Sequence, residues 1–154
     1  MPFRRLIATA VAGALVAALS FTAVAQDVDP AIAGMTAQQK VDAREAAMKQ
    51  NGGLMKNAGG LTGADAVAAA DTMIQNFTNF PALFSDDTSA VGGNKALPEI
   101  WASFDAFTAI FAKAADGAMA MKVAAESGDA AAYGAALKTI GATCGECHQM
   151  YRAK

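Results

Sequence analysis

The chain has 154 residues, with 12 lysines and arginines against 14 acids, one histidine and two cysteines. A formal charge of −2 without a basic stripe excludes a nucleic-acid surface, and so few cysteines exclude a disulfide-built scaffold. The chain is the right length for one domain with one core.

Residues 1–25 read as a secretory signal peptide. Arg4 and Arg5 supply the positive start, Leu6 to Val24 carries no charge, and Ala23-Val24-Ala25 is a small-residue cleavage site. The apolar run is long enough for an anchor, but the cleavage site predicts its removal. Residues 26–154 are then the mature domain, beginning at Gln26. Cleavage takes away two arginines and no acid, so the mature chain is more acidic. The short signal with paired arginines looks bacterial, so the expected destination is the periplasm. No second long apolar run follows, so no membrane span is expected after cleavage.

The mature sequence is rich in alanine, lacks alternating strand patterns, and divides into four helical stretches. The first spans about 37–57. Thr36-Ala37-Gln38-Gln39 reads as a capping box, and Gly59-Gly60 stops the helix. Val41, Arg44, Met48 and Met55 share one face. Gly52-Gly53 weakens the interior by about 1 kcal/mol per glycine relative to alanine. Either a bulky group approaching the backbone or a kink accounts for that pair. The second helix spans about 64–80, with Val67, Ala70, Ile74 and Phe77 as its stripe and Pro81 at its end or at a kink. A polar loop covers 85–97. The third helix is expected over about 98–126, opening on Pro98. Trp101, Phe104, Phe107 and Phe111 form an aromatic stripe that suits a core or the face of a flat ring.

The fourth helix is expected over about 130–153, capped by Asp129. Tyr133, Leu137, Ile140, Cys144, Cys147 and Tyr151 make a seam with alternating steps of four and three. Short connections favour an all-α, antiparallel up-down-up-down four-helix bundle. Both cysteines belong to Cys144-Gly145-Glu146-Cys147-His148, the C-x-x-C-H pattern of covalent haem attachment. A zinc site lacks a fourth ligand, a thioredoxin-like pair needs a preceding strand, and a chance disulfide leaves the histidine as coincidence. Haem c, bound through two thioethers to the inside of the bundle, is therefore the expected cofactor, and His148 is the one histidine able to ligate its iron.

For the opposite face of the iron, geometry favours Met48. Antiparallel packing brings the start of the first helix beside the end of the fourth. Met55 lies about 10 Å farther along the helix than Met48, at about 1.5 Å per residue. Met48 either ligates the iron or fills the pocket as a soft core residue. Arg44 on an inward face either snorkels or pairs with a haem propionate. Arg152, one turn after His148, either tunes the field near the imidazole or serves the helix dipole in solvent.

Together these features resemble class II cytochromes c, the cytochrome c′ family. The resemblance rests on the C-terminal Cys144-x-x-Cys147-His148-x-x-Tyr151-Arg152, on Arg44-x-x-x-Met48, and on Pro98-Glu99-Ile100-Trp101. It implies that Arg44 lies near the propionates and that the residue at position 48 faces the iron opposite the histidine. Met48, with the stretch Met48-Lys49-Gln50-Asn51-Gly52, resembles the low-spin, methionine-ligated branch. Trp101 is read as packing on the haem or in the core, and Arg152 as a neighbour of the haem edge; the resemblance implies either a monomer or a homodimer. The expected function is a periplasmic one-electron carrier serving redox partner proteins. The alternative is a high-spin protein that binds nitric oxide or carbon monoxide. No nucleophile-base pair is visible, so an enzyme is not expected.

Overall fold

The computed structural model describes residues 27–154, so the expected signal peptide 1–25 and Gln26 lie outside the described residues. After a 3₁₀ turn at Pro30–Gly34 come α1 (Ala37–Asn57), α2 (Gly63–Leu83), the short α3 (Glu99–Ala102), α4 (Phe104–Ser127) and α5 (Ala130–Tyr151). The four long helices form the antiparallel up-down-up-down bundle. Among the described residues there is no β-strand, only an isolated antiparallel bridge between Ala96 and Arg152.

Local chemistry sets the helix ends. Gln39 N–H donates to Thr36 Oγ1 at 3.2 Å and Thr36 N–H donates to Gln39 Oε1 at 2.8 Å, the reciprocal capping box. Ala132 N–H donates to Asp129 Oδ1 at 2.9 Å at the start of α5. Gly128, at φ 70°, takes the left-handed turn that closes α4, with Asp129 N–H reaching back to the Ala124 carbonyl. Tyr133 Oη donates to the Ala58 carbonyl at 3.1 Å, tying the end of α1 to α5.

Two boundaries differ from expectation. Helix α2 continues through Pro81 to Leu83, because one missing N–H within the last turn leaves the helix intact. The expected third helix is broken at Ser103 (φ −138°, ψ 50°). There the Ser103 hydroxyl donates to the Glu99 carbonyl at 2.8 Å, beside the backbone Ser103 N–H bond to the same oxygen at 3.1 Å, and lies 3.3 Å from the Tyr151 hydroxyl. At the other end, α5 stops at Tyr151. Leu97 N–H then donates to the Tyr151 carbonyl and Ala153 N–H to the Lys95 carbonyl, which pins the chain end to the 85–97 loop.

The core is unevenly shared. Helix α4 packs closely on both α2 and α5, whereas α1 packs chiefly on α2 and scarcely meets α5. The aromatic cluster joins α2, α4 and α5. Phe107 stacks edge-on against Phe84, Phe111 and Tyr151 with centroids 4.8, 4.9 and 5.1 Å away. Helix α1 buries only Val41, Arg44 and Asn51, leaving Met48 and Met55 half-buried. An incompletely covered inner face on α1, opposite α5, is the feature that positions the site.

Candidate haem site

Seam spacing on α5 turns both cysteines inward. Cys147 is buried and Cys144 half-buried, and both are free thiols. Burial pushes both thiols up. Cys147 reaches about 11, with the neighbouring Cys144 and Glu146 adding to the effect of burial. His148 follows on the same turn with its outer edge open to solvent. Desolvation of its inner side, helped by the Arg152 charge, holds the imidazole below its ordinary value. It is therefore neutral near pH 7, with a ring nitrogen free to ligate a metal.

Two cavities fill the gap between α1 and α5. The larger, about 380 Å³, has a polar mouth lined by Arg44, Lys49, Lys95 and Arg152, with Asn94 and the single acid Glu45. The smaller, about 190 Å³, is apolar and runs in past Met55, Phe77, Phe111, Ala114 and Cys144. Among the described residues, only Met48, Cys147 and His148 border both. Gly52 lines the smaller cavity, and a Cβ built there meets no protein atom within 4 Å.

These features fit a haem. A planar group with an apolar body and an anionic edge matches one dry cavity continuous with one cationic mouth. Arg44 strengthens the match. It is 3 % exposed, and its guanidinium donates to the Leu83 carbonyl at 3.2 Å, Thr88 Oγ1 at 3.0 Å and Asn94 Oδ1 at 3.1 Å. It also lies 4.1 Å over the Phe84 ring. Among the described residues no carboxylate pairs with it, and burial lowers its pKa, partly offset by Glu45. A buried cation held only by neutral acceptors suits an anionic ligand in the adjoining cavity.

The structure brings most of the expected residues together. Met48, Arg44, Cys144, Cys147, His148 and Arg152 all line the cavities. Trp101 does not. It sits on α3, before the break at Ser103, and its indole N–H donates to the Phe84 carbonyl at 2.9 Å. The break displaces it from the aromatic stripe, and Phe107 and Phe111 remain as the cavity walls. Sequence reasoning passed over Asn94, whose bond to Arg44 spans a loop and has no periodic signal. It also gave no role to Asn51, although a polar residue three positions after Met48 on an inward face was a usable sign.

A sequence profile described as cytochrome c′ matches residues 18–152. The cytochrome c′ of Rhodospirillum rubrum is 35% identical over 147 residues, covering 91% of this chain and 95% of that one. The cytochrome c-556 of Agrobacterium tumefaciens strain B2A is 40% identical over 122 residues, covering 75% of this chain and 98% of that one. Among solved structures, a cytochrome c′ described as having a ligand-controlled dimer dissociation superposes with a TM-score of 0.70 at 26% identity, covering 79% of this chain and 99% of that one. A nitric oxide complex of a variant cytochrome c′ from Alcaligenes xylosoxidans gives 0.67 at 25% identity, covering 77% and 98%. The match runs through the helices that enclose the cavities and through the C-x-x-C-H turn. This chain therefore belongs to the cytochrome c′ family, whose members carry covalently bound haem c.

Proposed function

We propose that this chain is an exported periplasmic one-electron carrier, with residues 1–25 removed and residues 26–154 forming the working domain. Cys144 and Cys147 would hold the haem, and His148 and Met48 would ligate its iron. The observation that carries this reading is the convergence of Met48, Cys147 and His148, from opposite helices, on the boundary of both cavities. Met55 is the other methionine at hand, but it borders only the smaller cavity, and its methyl lies against Gly141 of α5.

When bound, the haem supplies a one-electron couple between ferric and ferrous iron. The protein's part is to hold that couple still and set its potential. Met48 brings a thioether, a soft ligand that favours the reduced state. Apolar walls from Phe77, Ile110 and Phe111 keep water away and disfavour added charge. Arg44 offers its guanidinium to the anionic edge, already fixed by Thr88 and Asn94. Arg152 adds a positive charge beside the imidazole. Trp101 acts at a distance, holding the end of α2 where Phe84 supports Arg44. Redox partner proteins would meet the open mouth of the larger cavity in brief encounters. The only histidine is committed to the iron, so a carrier fits better than a catalyst.

A second reading is a gas-binding haem protein. The nitric oxide complex of the Alcaligenes relative favours it, and so does the half-buried state of Met48, a flexible side chain that has room to move. Carbon monoxide added to the reduced protein at neutral pH separates the two. A carrier with a firm Met48 ligand binds it slowly and incompletely. Fast, complete binding contradicts the carrier reading and supports the second.

A further inference from the structure

Asn51 is the one buried polar side chain on the inner face of α1 that the bound haem's charge does not explain. It is 5 % exposed and lines the smaller cavity. Its Oδ1 accepts from Asn76 Nδ2 at 2.7 Å, and the same Asn76 nitrogen donates to Gln50 Oε1 at 2.9 Å. Asn76 is therefore a double donor, which fixes the Asn51 amide with its oxygen toward α2. That leaves Asn51 Nδ2 with no partner and no access to solvent. A buried, unpaired donor is costly, and native structures keep few of them.

The candidates for acceptor are few. Of the other non-hydrocarbon side chains lining the small cavity, Thr143 has its hydroxyl turned onto the Thr139 carbonyl of its own helix at 2.9 Å, and Cys144, Cys147 and His148 on α5 are the groups that would hold the haem. Asn51 lies three residues after Met48, on the same face of α1 and at the same cavity wall. Side chains on a helix lean toward its N-terminus, so the Asn51 amide leans back over the turn that carries Met48. A thioether sulfur has two lone pairs, and ligation to iron uses one.

We propose that Asn51 Nδ2 donates a hydrogen bond to the free lone pair of the Met48 sulfur, so that the Asn76–Asn51 pair tunes the axial ligand. The proposal rests on Met48 being that ligand. A donor on the sulfur withdraws electron density from it and makes it a weaker ligand to ferric iron. Asn51 thus raises the reduction potential and holds the sulfur in place. Leucine at position 51 keeps the approximate volume and removes the donor.

The test measures the reduction potential and the sulfur-to-iron charge-transfer band of the haem-loaded protein in wild type, Asn51→Leu and Gln50→Leu. Asn51→Leu is expected to lower the potential and move the band to lower energy. Gln50→Leu, which also disturbs the Asn76 cluster but lines no cavity, should leave both unchanged. If leucine does not fit, Asn51→Ala reads the same comparison. A wild type with the band, and an Asn51 variant with the same band and potential, overturns the hydrogen bond while leaving Met48 as ligand. A Gln50→Leu shift equal to that of Asn51→Leu also overturns it, because the cluster would then act through structure alone. A wild type without the band overturns the Met48 reading and this proposal with it.

Discussion

Single residues set how closely the scaffold closes around the cavities. Gly117 on α4 lies close against α5. A Cβ there would lie 3.1 Å from Ile140 Cγ1 and 3.6 Å from Thr139 Cγ2. Ile140 is itself fully buried on the seam that carries the cysteines. Gly117→Val should therefore destabilise the fold by about 1–3 kcal/mol through overpacking, as read by denaturant unfolding of the haem-loaded protein. A stability equal to wild type would mean that α4 and α5 have room to separate. Arg44 makes a complementary point. The sequence showed a cation on an inward face and its four-residue spacing to Met48. It did not show the acceptors, because Leu83, Thr88 and Asn94 are brought in by the end of α2 and the loop after it.

At the level of elements, the start of α1, the start of α5 and the whole cysteine seam were legible, because each rests on contacts within about one or two turns. The capping box at Thr36 and the Asp129 cap depend on residues three apart. The seam from Tyr133 to Tyr151 depends only on helical period, and the structure buries or half-buries every member of it. Pro81 and Ser103 were not legible for a different reason. A proline in the last turn of a helix costs little if the residues beyond it, here Leu83 and Phe84, have a core to enter. A serine breaks a helix only if its surroundings reward the break. At Ser103 the reward is the Tyr151 hydroxyl, 48 residues away. The displacement of Trp101 follows from that long-range contact, and no local pattern foretold it.

At the scale of the whole molecule, three helices make the core and the fourth leans on the site. Helix α1 meets α2 and scarcely meets α5, and its inner face looks onto the two cavities. A haem held there would be a further packing partner of α1, alongside α2, Tyr133 and the Lys40–Asp87 ion pair at 3.2 Å. Protein made without haem should keep slow amide exchange in α2, α4 and α5 while exchange in α1 becomes much faster, as read by hydrogen–deuterium exchange with mass spectrometry. Equal protection of α1 with and without haem would contradict this division. Among the described residues no helix is long and apolar enough to cross a membrane.

The axial pair is the claim on which the carrier reading turns, and the absorption spectrum of the oxidised protein beside that of Met48→Ala tests it most directly. The account predicts a low-spin spectrum with a sulfur-to-iron charge-transfer band in wild type. In the variant it predicts loss of that band, high-spin iron and a lower reduction potential. A high-spin wild type, or a variant that stays low-spin with its band intact, would contradict it.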